Sequence, residues 1–202
     1  MSRPDFITVF DFDKTLSYQD TTLPFFCFGT QGWSRGLRII HFYMLAIAVK
    51  LGLLTVFALK DRLLQAYFKN WPKEKWEQHC LAFSRTITLN QLYKQTDWKQ
   101  SGIWVISASF EDWLKPLFPA HIKVAASTIL WENNQLKGID RHLIGQAKAD
   151  YLQKSGIQKI DQLFTDSKTD LPLAIMADTT VWVSGDQQQS MSRETLKQRF
   201  KV

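Results

Sequence analysis

Cysteine is nearly absent from this chain. Its 202 residues include two, Cys27 and Cys80, without CxxC spacing or a nearby histidine ligand pattern. That excludes a disulfide framework or a cysteine-built metal site and predicts two small reduced side chains in the core of a cytosolic protein. Histidine is scarce as well: the four are scattered, and each reads as structural or surface. An uninterrupted apolar run of membrane-spanning length is also lacking. Residues 39–59 come nearest, but they contain His41, Lys50, Gly52 and Thr55, and a lysine near the centre of a span costs roughly 2.5–3.5 kcal/mol. A β-rich stretch already occupies the first ten residues, so no signal peptide is expected. What is present is ordinary for a globular protein: 45% apolar and 22% charged residues. The length suits one domain, or one core with an inserted subdomain.

Charge is unevenly placed. Residues 17–94 hold ten Lys and Arg against four Asp and Glu, so this segment accounts for the whole net charge of +6. A basic segment beside a neutral remainder suits an anionic substrate, an anionic membrane surface, or a merely solvated face. No feature points to nucleic acid.

The most informative residues are Asp11-Phe12-Asp13-Lys14-Thr15-Leu16, preceded by the apolar run Phe6-Ile7-Thr8-Val9-Phe10. The run reads as a buried strand. Two aspartates two apart at its end project to one side. Gathering like charges there costs free energy, which a divalent cation removes. The pair reads as half of a metal-assisted site at the carboxyl end of a strand, where parallel α/β sheets hold ligands.

Strand-like runs resume at residues 103–106, 124–126, 128–131, 162–164 and 181–183, with a hairpin turn at Asn133-Asn134. Helical stretches lie near 110–115, 146–154 and 172–177. The alternation predicts an α/β fold: a mostly parallel sheet flanked by helices. Residues 37–68 read instead as long, apolar helix, so the block between the first and second strands is an all-helical insertion. If Asp11 and Ser107 share a site, the chain leaves and returns on one side of any bilayer, and one candidate span cannot do that. The expected arrangement is a buried helical pair; the alternative is an apolar face dipping into a membrane interface.

Three further pieces could complete the site. Ser107 ends the strand 103–106, and Ser109 with Asp112 reads as a helix capping box. Lys148 lies near the start of a helix. Asp166 and Asp170 occupy a strand-to-helix loop, as helix caps or as hard oxygen ligands for Mg2+.

In that order these residues resemble the motifs of the haloacid dehalogenase (HAD) superfamily: Asp11-Phe12-Asp13-Lys14-Thr15 the first, Ser107 the second, Lys148 the third, Asp166 and Asp170 the fourth. Within it the chain is similar to subfamily IB, the phosphoserine-phosphatase-like group. The resemblance implies a Rossmann-like core, residues 1–16 and 95–202, with a helical C1-type cap at 17–94. It implies a Mg2+-dependent phosphomonoester hydrolase with an aspartyl-phosphate intermediate: Asp11 as nucleophile and Asp13 as general acid and base. Mg2+ would be held by Asp11, Asp13 and Asp166, phosphate by Ser107, Ala108 and Lys148, with Thr15 and Asp170 in support. Asp20 lies where phosphoserine phosphatases carry a substrate-facing acid. The substrate that the resemblance implies is a phosphorylated small molecule. A lipid phosphate at a membrane surface, as in phosphatidylglycerophosphate phosphatases, is the alternative. A phosphotransferase or receiver-like phosphoacceptor uses similar residues. The expected location is cytoplasmic, with the inner face of the membrane as the alternative site and peripheral contact through the cap.

Overall fold

The computed structural model describes residues 6–192, 194 and 195. Seven strands form one sheet in the order β4-β3-β2-β1-β5-β6-β7. The central strand β1 (Thr8–Phe10) lies between β2 (Ile103–Phe110) and β5 (Ile160–Thr165), parallel to both. β3 (Lys123–Glu132) and β6 (Ala177–Ser184) extend the parallel set, and β4 (Gln135–Arg141) and β7 (Gln187–Ser192) close the edges antiparallel. This is the α/β fold expected. The first strand starts at Thr8, and Phe6 is exposed.

Side-chain alternation in the central strands builds two cores. Ile7, Val9, Trp104, Ile106 and Leu163 face one side, where helices α7 (Gln146–Lys154) and α8 (Leu171–Met176) cover them. Phe10, Val105 and Phe164 face the other. The hairpin turn is where the sequence places it: Asn133 and Asn134 both take positive φ, 48° and 60°, which a tight β3–β4 turn requires. The predicted runs 124–126 and 128–131 are one continuous strand. β4 and β7 carried no readable signal because they are polar edge strands with mixed patterns.

Between β1 and β2 the chain forms α1 (Thr22–Cys27), α2 (Gly32–Lys50), α3 (Val56–Phe68), α4 (Lys73–Ser84) and α5 (Gln91–Gln95). Its outgoing and returning arms run side by side: Ser17 bridges Leu89, and Asn90 donates from its backbone to the Leu16 carbonyl and from its side chain to that of Thr15. α3 leans on β4 so closely that a Cβ at Gly138 would come within 2.8 Å of Asp61 Oδ1, so any larger residue there would have to displace the Asp61 carboxylate. A short helix, α6 (Glu111–Leu114), follows β2. Its start corrects the predicted capping box: β2 continues to Phe110 and no side chain caps the helix.

The insertion joins the sheet through an aromatic cluster. Phe25 stacks on Trp113 at 4.1 Å between ring centroids and meets Phe68, Trp76, Phe83 and Phe110. The expectation of a buried helical pair holds for α3, where Leu59, Leu63, Leu64 and Phe68 are buried. It fails for α2. Leu45 is its one buried residue, and the outward face keeps large apolar side chains in solvent. Among the described residues no helix is long and apolar enough to cross a membrane.

His79 on α4 is caged by Phe25, Phe28, Phe68 and Trp71, and its Nε2 is buried without a partner. Burial, with Arg38 and Lys75 adding repulsion, depresses its pKa from 6.5 to about 4. The unfolded chain therefore takes up the proton first, and this histidine's contribution to stability is lost as pH falls from about 6.5 toward 4. Phe in its place is expected to flatten that loss. The check is the difference in thermal midpoint between wild type and His79→Phe across the window, which cancels the opposite trend of the raised carboxyls described below. Parallel curves would refute it.

Candidate active site

The site lies where β1, β2 and β5 end. Phe10 pairs with Val105 on one side and Phe164 on the other, so the loops leaving these strands start abreast. Asp11 follows β1, and its amide donates to the Phe164 carbonyl. The next residues form a tight turn in which the amides of Thr15, Leu16 and Ser17 all donate to the Phe12 carbonyl. Lys14 takes a φ of 59° there, a strained left-handed conformation for a non-glycine residue.

That turn separates the two aspartates. Asp11 is buried, with Oδ1 on Lys148 Nζ at 2.7 Å and Oδ2 facing the Thr15 hydroxyl at 3.4 Å. The same hydroxyl lies 3.5 Å from Asp166 Oδ1. One Thr15 oxygen is thus within reach of carboxylates 155 positions apart in the chain. Lys148 also contacts Asp170 Oδ1 at 2.7 Å, and Asp170 Oδ2 accepts from Thr165 Oγ1 at 2.9 Å. Gly145, with a φ of 55°, turns the chain into α7 beside the Thr169 carbonyl and so delivers Lys148.

Asp13 points toward the insertion. Its Oδ1 accepts from the Thr21 amide and hydroxyl at 2.7 and 2.6 Å, and its Oδ2 from the Ser109 hydroxyl at 2.5 Å. Ser109, read from sequence as a cap, is thus a partner of Asp13. Ser107 is almost fully buried and its Oγ accepts from the Ser109 amide. It is Ala108 that lines the cleft, where its carbonyl accepts from Lys60 Nζ and Ser127 Oγ, each at 2.8 Å. The cleft has a volume of about 260 Å³ and is lined by Asp11, Asp13, Asp20, Lys60, Lys148 and Asp166 among others.

The electrostatics are those of crowded acids. Burial pushes the Asp11 carboxyl up to about 8; Lys148 pulls it back, and Asp170 and Asp13 add to the rise. Asp13 is raised by burial and by Asp20. Asp166 is raised by burial, against the pull of Lys14. For Lys148 burial favours the neutral form, but Asp11 and Asp170 outweigh it and hold the ammonium. Lys60 is lowered by burial despite Asp13 and Asp20.

Lys60 had no signal in the sequence, where it is one of ten basic residues in its segment. Only the packing of α3 over the cleft brings it in. Thr21 and Thr165 were missed for the same reason: each is an ordinary loop threonine until a distant carboxylate is placed beside it.

A family model for haloacid dehalogenase-like hydrolases matches residues 8–174. The chain belongs to that family. Three solved structures share this hydrolase's fold. A phosphoserine phosphatase carrying a phospho-aspartyl intermediate analogue is 20% identical, with 88% of this chain and 86% of that one covered and a TM-score of 0.58. A phosphoserine phosphohydrolase-like protein from Francisella tularensis subsp. tularensis SCHU S4 is 20% identical, with coverage of 87% and 85% and a TM-score of 0.61. A HAD family hydrolase from Salmonella enterica subsp. enterica serovar Typhi is 19% identical, with 86% of this chain covered and a TM-score of 0.60; the hydrolase described here spans 61% of its length. No curated protein sequence matches the chain.

Proposed function

We propose that this hydrolase cleaves phosphate monoesters through an aspartyl-phosphate on Asp11, with residues 17–94 as a cap over a core of 1–16 and 95–202. The observation that carries the reading is the Thr15 hydroxyl poised between Asp11 and Asp166 while Lys148 holds the other Asp11 oxygen.

An Asp11 carboxylate oxygen attacks phosphorus, and the bond from phosphorus to the alcohol oxygen breaks. Asp13 gives the departing oxygen a proton, which suits a carboxyl whose pKa burial has raised. It then takes a proton from the water that attacks the phosphoaspartate, freeing phosphate and Asp11. The Lys148 ammonium and backbone N–H groups near Ala108 bind the phosphoryl oxygens, with Ser107 supporting that loop. Asp170 keeps Lys148 charged and aimed. Asp13 is tied to Thr21 at the start of the insertion, so cap position and acid position are linked.

The crowded acids fit a divalent cation. Mg2+ takes one or two carboxylates and fills its shell with other oxygens, and Asp11 and Asp166, both within reach of the Thr15 hydroxyl, supply that many. The Asp11 and Asp166 carboxylates and the Asp13 backbone carbonyl would hold it, and it would neutralise nucleophile and phosphate. Hydrolysis of p-nitrophenyl phosphate is expected to vanish on chelation and return with Mg2+. Full turnover in excess chelator would rule the metal out.

A lipid phosphate is the second reading of the substrate. It is favoured by the apolar outward face of α2, which a soluble substrate leaves unexplained.

A further inference from the structure

α2 and the turn that follows it present an unusual surface. Trp33, Leu37, Ile40, Met44, Ile47 and Leu51 recur at steps of four and three, so they line one face of the helix. Each is between 58% and 89% exposed. In the turn beyond, Leu53 is 76% exposed. The opposite face of α2 is held by the rest of the insertion: Arg38 lies over the Tyr67 ring and donates to the Phe26 carbonyl, and His41 bonds the Tyr67 hydroxyl. Water therefore meets apolar side chains where a globular helix places its charges.

The charges carried by this segment have one sign. Residues 21–60 contain no Asp or Glu. Arg35 and Lys50 are exposed near the two ends of the stripe, which is the placement that lets long basic side chains reach headgroups beside a buried apolar strip. From these observations we infer that the outer face of α2 and the α2–α3 turn dock on the surface of an anionic lipid bilayer. With 19 residues α2 is about 28 Å long and lies in the interface plane rather than across it. A second copy of the chain is the weaker occupant, because it would set two insertions of net charge +6 face to face, whereas an anionic bilayer attracts them.

The apolar segment runs on toward the cleft: Leu53 in the turn after α2 is exposed, and Val56, three residues later at the start of α3, lines the cleft. A headgroup at the interface would meet the cleft mouth at this corner. The inference thus deepens the lipid-phosphate reading of the proposed function, and its test lets the two fail separately.

The full chain is floated with vesicles of phosphatidylglycerol and phosphatidylcholine, and with vesicles of phosphatidylcholine alone. Wild type is expected to rise with the anionic vesicles and to bind neutral ones at least about tenfold less. Ile40→Glu with Ile47→Glu changes two exposed side chains and is expected to leave the protein at the bottom, with hydrolysis of soluble p-nitrophenyl phosphate unchanged. Asp11→Asn is expected to float like wild type. Wild type remaining at the bottom, equal capture by both vesicle types, or flotation of the double variant would overturn the inference. So would a dimer in sedimentation equilibrium that the double variant splits while vesicles capture neither. Flotation without hydrolysis by wild type would keep the docking face and remove the phosphatase reading instead.

Discussion

Asp11→Asn is expected to lower p-nitrophenyl phosphate turnover by about 10⁴-fold or more while the protein stays folded. An amide cannot attack phosphorus, and losing a group that forms the covalent intermediate costs several powers of ten. The fold should tolerate the change. Burial pushes the Asp11 carboxyl up to about 8, with Asp170 and Asp13 adding to the rise, so the position favours an uncharged group such as an amide, and Lys148 keeps Asp170 as a partner at 2.7 Å. Steady-state rates beside a thermal melt decide the matter: the midpoint is expected to equal or exceed that of wild type. Undiminished hydrolysis would remove Asp11 as the nucleophile. Lost activity with a collapsed melt would show a structural defect instead.

Lys148→Met is expected to lose both activity and stability. The ammonium is the shared partner of Asp11 and Asp170, all three being buried. A thioether of similar length fills the space but leaves two carboxylates without their counter-charge. Breaking a buried ion pair from one side costs about 3–5 kcal/mol, or roughly 10 °C in thermal midpoint for a chain of this size. Turnover is expected to fall about 10²–10³-fold with the phosphoryl oxygens' cation gone. Adding Asp11→Asn removes one orphaned charge and is expected to recover part of the stability and none of the activity. Denaturant melts of the two single variants and the double variant give the coupling; a Lys148→Met midpoint equal to wild type would mean the pair contributes nothing.

Legibility followed the range of the interactions involved. The strand before Asp11 and the hairpin at Asn133-Asn134 were readable because apolar runs and left-handed turn positions are written in adjacent residues. The polar edge strands β4 and β7 were not, since a strand bonded along one side needs little apolar patterning. Ser109 was misread because Ser three before Asp is a local pattern, while its bond to Asp13 joins residues 96 positions apart. The α2 stripe was visible as periodicity. That it faces outward was not, because a helical pattern states which residues share a face and leaves open what that face meets.

By itself the sequence determined the α/β class, the helical insertion, and the identity of Asp11, Asp13, Lys148, Asp166 and Asp170 as candidates: the first two from their neighbours in the chain, the other three from their order after strand-like runs. Only the tertiary structure decided that one threonine hydroxyl stands between Asp11 and Asp166, that Lys60 enters the cleft from α3, and that α2 leaves its apolar face in water. The physical reason is that parallel strands bring distant loops abreast through backbone pairing. Which side chains then meet follows from strand order and helix packing, and neither is encoded within the span of a local motif.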